Sequence, residues 1–156
     1  MHTILRATPD DAGLILAIQK RAHEEEARLC RDWEIPPLTE PLGDVIEHIQ
    51  NQTVLIALRG TQIIGTVRGL VSENVCTIRG LNIEPESQGR GVGSELLLAI
   101  ERAHPQVTHF ELTTNSVMVS NVRFYQRHGY RVAELRQYSD HITLAHMSKA
   151  QGAGSE

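Results

Sequence analysis

"IEPESQGRGVGSELLLAIE", Ile83 to Glu101, sets Gly89, Gly91 and Gly93 between an apolar strand-like run and a leucine-rich one. Glycine is a poor helix former, yet "SELLLAIERAH" right after it has helix composition and stops at Pro105. A helix start leaves N–H groups unpaired and carries partial positive charge. Glycines ahead of it let the backbone close on an anion with no Cβ in the way. Taken alone, the turn fits both an anion cradle and a flexible connector. "GRGVGSE" lacks the lysine of a GxxxxGK[ST] loop and the third glycine of G-x-G-x-x-G, so neither a nucleoside triphosphate nor a dinucleotide is expected.

Upstream of the turn, "VCTIRGLNI" reads as a strand whose Gly80 marks a bulge or kink near Arg79. Before it, "TVLIALRGTQIIGTVRGLV" reads as a hairpin turning at Arg59, Gly60 and Thr61. The chain opens with the strand "TILRA" and a helix over "TPDDAGLILAIQKRAHEEEARL", with Thr8 as N-cap and Asp11 closing a capping box. "CRDWEIPPLTEPLG", with three prolines, is expected to be a loop leading to a helix from Leu42 to Gln50. Downstream, "VTHFELTT" alternates as a strand and "VMVSNVRFYQRHG" reads as a helix ending at Gly129. "YRVAELRQY" and "HITLAHM" close as strands. The fold class expected is α/β, with a mixed, mostly antiparallel sheet of about seven strands, a kinked fourth strand and helices on both faces.

The 156 residues make one domain, assigned to 1–148, with 149–156 expected to be a disordered polar tail. No run approaches the roughly 18 apolar residues of a membrane span, and the start resembles neither a secretory signal nor a transit peptide. A cytoplasmic location is the expectation. The formal charge of −4, with arginines scattered among acids, argues against nucleic acid as a partner. Cys30 and Cys76 lack paired spacing, and the histidines form no HExxH, so neither a disulfide nor a metal is expected.

The pattern Gln88-x-x-Gly91-x-Gly93, entered from Leu81-Asn82-Ile83, resembles the acyl-CoA-binding motif of the GNAT family of N-acetyltransferases. "SNVRFYQRHGY", Ser120 to Tyr130, resembles that family's Asn-x-x-(aromatic or aliphatic)-Tyr-x-x-x-Gly-(Phe or Tyr) segment. The likeness runs from about Thr3 to Met147, with identifiable signature between Gly80 and Tyr130. It implies acetyl-CoA as cofactor and direct acetyl transfer to a primary amine of a small molecule or peptide. By the same likeness, backbone groups of Leu81, Asn82 and Ile83 would hold the pantetheine arm. The amides of Gly89, Arg90, Gly91, Val92, Gly93 and Ser94 would take the pyrophosphate, with Gln88 shaping the loop. Asn121 would bond the acyl end of the cofactor, and Tyr125 would stand by its sulfur as general acid. A homodimer is a further implication.

Attack on a thioester needs a neutral amine, so a base must take a proton from the ammonium. The position where some family members carry a glutamate holds Thr77. Glu111 on the next strand is the base candidate carried forward, with Glu84 and Glu24 to Glu26 as others; a solvated surface charge is the commoner role for any one of them, and a water chain is an equal alternative. Trp33 and Glu26 are assigned to the acceptor side, where acidic groups would favour a cationic amine. Trp33 packing against substrate and Trp33 capping the core both fit. The missing glutamate also keeps open a second description, a non-catalytic acyl-CoA-binding sensor or interaction module.

Overall fold

In a computed structural model, residues 1–152 are described. Seven strands form one sheet, β1 (Thr3–Arg6), β2 (Thr53–Arg59), β3 (Gln62–Ser72), β4 (Val75–Ile83), β5 (His109–Asn115), β6 (Arg131–Gln137) and β7 (Thr143–Ala150), in the spatial order β1-β2-β3-β4-β5-β7-β6. All neighbours pair antiparallel except β4 and β5. The helices are α1 (Ala12–Ala22), α2 (Glu24–Cys30), α3 (Pro36–Thr39), α4 (Leu42–Asn51), α5 (Val92–Arg102) and α6 (Val119–Arg127).

Strand alternation builds two cores. On β2, Val54 and Ile56 face α1 and α4, packing with Ala12, Ile15, Ile18, Val45 and Ile49. Their neighbours Leu55 and Ala57 face the opposite layer, where Val92, Leu96, Leu97 and Ile100 of α5 meet Val67, Ile78, Phe110 and Met147. The sheet thus carries α1, α2 and α4 on one face and α5 and α6 on the other. Within the α5 layer, Glu101 accepts hydrogen bonds from Tyr130 Oη at 2.7 Å and Lys149 Nζ at 3.0 Å, and Lys149 is 7% exposed. A buried pair that loses one partner leaves a charge with no compensation. Glu101→Gln is therefore expected to lower unfolding stability by about 3 kcal/mol, measured in denaturant.

The fold class is as the sequence implied, and so is the bulged fourth strand: Thr66 pairs with Asn82 and Arg68 with Arg79, so β4 carries an extra residue where Gly80 adopts φ 62°. Thr8 and Asp11 form the expected capping box. Three expectations are corrected. The long first helix is broken at His23 (φ −99°, ψ 2°), where α1 ends and α2 starts with Glu24, Glu25 and Glu26 in its first turn. The proline segment is not all loop, because Pro36, placed at a helix start where its missing N–H is harmless, opens the turn α3. Gln19 pins that turn, donating to Pro37 O at 3.0 Å and Glu40 Oε1 at 2.9 Å. The tail assigned to 149–156 does not start at 149, since β7 begins at Thr143 and runs through Lys149 and Ala150, with Lys149 held by Glu101; residues 153–156 lie outside the described residues.

Candidate functional site

The link from β4 to α5 is a short 3-10 turn, Pro85–Ser87, followed by the glycines. Gln88 Nε2 donates back to Ile83 O at 3.3 Å and ties this link to the strand end. Gly89 (φ 78°) and Gly91 (φ 83°) are left-handed, and a Cβ on either would meet nothing within 4 Å. A side chain at Gly91 would strain the backbone and fill the open space in front of the helix. The first bond of the helix is Glu95 N to Gly91 O at 3.0 Å. Among the described residues no oxygen accepts from the amides of Gly89, Arg90, Gly91, Val92, Gly93 or Ser94. Six free amides at the start of an eleven-residue helix, behind two glycines with open space before them, fit a diphosphate.

Beside this cradle the sheet splits. β4 and β5 pair only from Val75 to Thr77 against His109 to Glu111. Past Thr77 the β5-facing edge of β4 has no strand partner, and Leu81, Asn82 and Ile83 lie on that bare edge while β3 holds the other side. An open parallel edge can take an extended ligand with amide groups of its own.

Tyr125 stands on the α5 and α6 side of this gap. Its ring packs edge-on to Phe124 at 5.3 Å and to Tyr130 at 6.0 Å, and Phe124 lies against Gly93. Among the described residues its hydroxyl has no hydrogen-bond partner. Burial pushes it up to about 12, so it stays a proton donor throughout the neutral range. Cys76 is fully buried, its thiol pushed up to about 11 by burial and by Glu101, as suits a structural thiol and not a nucleophile. Both groups bind protons more tightly folded than unfolded, where they titrate near 9 and 10. Their stabilisation is full below pH 9 and is lost as pH rises through 9 to 12, so the stability measured in denaturant is expected to fall by on the order of 5 kcal/mol over that range.

On the opposite face a polar chain spans the mouth of the gap. His23 Nδ1 lies 3.0 Å from Glu26 Oε1, and His23 Nε2 lies 2.9 Å from Asn82 Oδ1 on β4. Asn115, at the end of β5, donates to Glu26 Oε2 at 3.2 Å and to Cys30 Sγ at 3.0 Å. Burial would raise the Glu26 carboxyl, but the hydrogen bond and charge of His23 and the bond from Asn115 outweigh it and hold it below the usual carboxylate range. Asn82 is 4% exposed and its Nδ2 has no partner.

The sequence-assigned residues fall unevenly around this site. Leu81, Asn82, Ile83, Gln88 and the amides of Gly89 to Ser94 line the gap and the turn before α5, and Tyr125 packs against the same core cluster as Leu81 and Ile83. Asn121 is exposed in the first turn of α6 and Arg90 is exposed on the loop. Glu26 lies at the mouth. Glu111 does not join it: it sits at the closed end, paired with Thr77, half exposed and 3.2 Å from His109. Four strand steps, about 13 Å, separate it from Asn115. Glu84 is held by a two-pronged bond from Arg21, and Glu25 pairs with Arg28. Trp33 is 56% exposed, so it does not cap the core. The side chains of His23, Asn82 and Asn115 were missed; their one local signal is the Glu26 that follows His23 by three residues. No cluster of three or more His, Cys, Asp or Glu among the described residues could hold a metal, and no described helix is long and apolar enough to cross a membrane.

The model of the acetyltransferase (GNAT) domain matches residues 20–151. Among solved structures, the chain is similar to a GNAT-family acetyltransferase from Streptococcus pneumoniae, with 20% identity over 97% of this chain and 100% of that one, at a TM-score of 0.77. It is similar to the ribosomal-protein-alanine N-acetyltransferase from Brucella melitensis, with 17% identity, 95% and 99% covered and a TM-score of 0.77. The protein yncA from Salmonella typhimurium, solved with its cofactor acetyl-CoA, shares 14% identity, with 100% and 97% covered and a TM-score of 0.77. A comparison with curated proteins found no significant match.

Proposed function

Because this chain belongs to the GNAT acetyltransferase family, with acetyl-CoA as its cofactor, we propose that it transfers acetyl directly to a primary amine of a small molecule or peptide. One observation carries the reading: a bare β4 edge beside six free amides at a helix start. Acetyl-CoA supplies a thioester, an acyl donor activated towards amines. The amides from Gly89 to Ser94 hold the pyrophosphate, aided by Arg90, and Gln88 fixes the loop that presents them. Backbone groups of Leu81, Asn82 and Ile83 hold the pantetheine arm in the place of a strand, and Asn121 bonds the acyl end. The Tyr125 hydroxyl, protonated and unpartnered, donates to the sulfur as negative charge grows there. Direct transfer is favoured over an acyl-enzyme because the thiol of Cys76 is buried on a paired stretch of β4.

The acceptor enters from the α1 and α2 face, where Trp33 stands exposed and Glu26 is ionised, a setting that suits a cationic amine. The ribosomal-protein-alanine enzyme of B. melitensis makes a peptide N-terminus one acceptor class to try. A cytoplasmic location and a homodimer belong to the proposal, tested by cell fractionation and light scattering. The central experiment follows thiol release from acetyl-CoA across amines, polyamines, aminoglycosides, lysine and short peptides. Release with at least one class is expected; acetyl-CoA binding without release from any would leave a cofactor-binding module.

A further inference from the structure

The gap between β4 and β5 has an acid on one face and no assigned base on the other. Among the described residues, the only carboxylate that bridges the open mouth is Glu26, and both its oxygens are engaged, by His23 and by Asn115. What it presents to the gap is the imidazole. An ionised carboxylate only accepts, so His23 Nδ1 must carry the hydrogen that lies between it and Glu26 Oε1. That leaves Nε2 as the nitrogen with a lone pair to offer, and Nε2 faces Asn82 on the bare edge of β4.

Asn82 stands ready for either state of this nitrogen. Its Oδ1, 2.9 Å away, accepts when Nε2 carries a hydrogen, and its amide turned over donates Nδ2–H when Nε2 is bare. An incoming alkylammonium brings its own N–H donors, and the Nε2 lone pair and the amide oxygen of Asn82 are the acceptors side by side at the edge of β4 that it would meet.

We propose that His23 is the general base for the acceptor: Glu26 holds its Nδ1 hydrogen, and Nε2, with Asn82 Oδ1 beside it, receives the ammonium and takes its proton. The inference rests on the N-acetyltransferase reading above. One proton passes from the ammonium to Nε2. The freed nitrogen pair forms the bond to the acetyl carbon, and the C–S bond breaks with its electrons on sulfur. The second N–H proton leaves for the sulfur, through Tyr125 on the far face. The products are amide, thiol and an imidazolium that returns its proton to water, so the sum is one ammonium and one thioester to one amide, one thiol and one proton. The Arg21–Glu84 pair lies at the end of β4, Cys30 lies behind Asn115, and Glu24 and Glu25 share the first turn of α2 with Glu26.

Two measurements test this. In the first, nitrogen-15 spectra of labelled histidine are followed against pH in the wild-type protein. His23 is expected to keep Nδ1 protonated throughout while Nε2 titrates, and Glu26→Gln should abolish that preference. A neutral His23 protonated on Nε2 would overturn the proposal whatever the activity. In the second, His23→Gln is assayed with an accepted amine. A loss of roughly 10² to 10⁴-fold at pH 7 is expected, with the acetyl-CoA-induced melting shift intact. The deficit should shrink as pH approaches the amine's own pKa, and imidazole should restore part of the rate to His23→Ala. A His23→Gln enzyme matching the wild type in rate and pH profile overturns the proposal alone. A wild type silent towards every amine overturns the enzyme reading and this proposal with it.

Discussion

Gly91→Val is expected to abolish acetyl-CoA binding. At φ 83° the residue sits in the left-handed region, and its missing Cβ looks onto open space. A β-branched side chain there acts twice. It strains the backbone by roughly 1 to 2 kcal/mol, and its methyl groups occupy the volume through which a diphosphate reaches the free amides. A hydrogen bond to a charged group contributes about 1.5 to 3 kcal/mol, so blocking two of the amides weakens binding by some 10² to 10⁴-fold. Calorimetry should show no measurable heat at wild-type concentrations. Gly60→Val separates strain from obstruction, because Gly60 is also left-handed (φ 63°) with open space around it but lies in the β2–β3 hairpin. It should lose similar stability and bind acetyl-CoA as the wild type does.

The second large effect concerns turnover. Tyr125→Phe is expected to lower kcat by about 10²-fold with the dissociation constant for acetyl-CoA nearly unchanged, since the hydroxyl matters only as charge appears on sulfur. The ring packs against Phe124 and Tyr130, contacts that phenylalanine keeps. Among the described residues the hydroxyl has no partner, so its removal leaves no orphaned group. Because the phenol stays protonated to about 12, the wild-type rate should show no loss from Tyr125 below pH 10, and the variant should be slower by one factor across that range. An unchanged kcat removes Tyr125 from the chemistry.

What the sequence disclosed was what short-range physics encodes. The glycines before α5, the capping box of Thr8 and Asp11, the turn at Gly60 and the bulge at Gly80 each follow from backbone preferences of a few adjacent residues, and all four stand where expected. The break at His23 escaped because apolar periodicity runs on either side of it and no proline or glycine marks it. Lys149 read as tail because its partner Glu101 lies 48 residues away. The same distance problem hid the mouth of the gap. Asn82 and His23 are 59 positions apart, Asn115 and Glu26 are 89, and only the sheet brings them together. Glu111 drew notice as an acid on the right strand, but strand alternation and the short β4–β5 pairing leave it in solvent at the wrong end. A register that stops after Thr77 has no counterpart in composition.

The most direct measurement is a proton–nitrogen correlation spectrum of the backbone amides during titration with coenzyme A. The amides of Gly89 to Ser94 should move together, saturate with the ligand and shift downfield as they gain a phosphate acceptor. If coenzyme A binds while those six stay still and another surface responds, the diphosphate is held elsewhere and the cradle assigned to this turn is wrong.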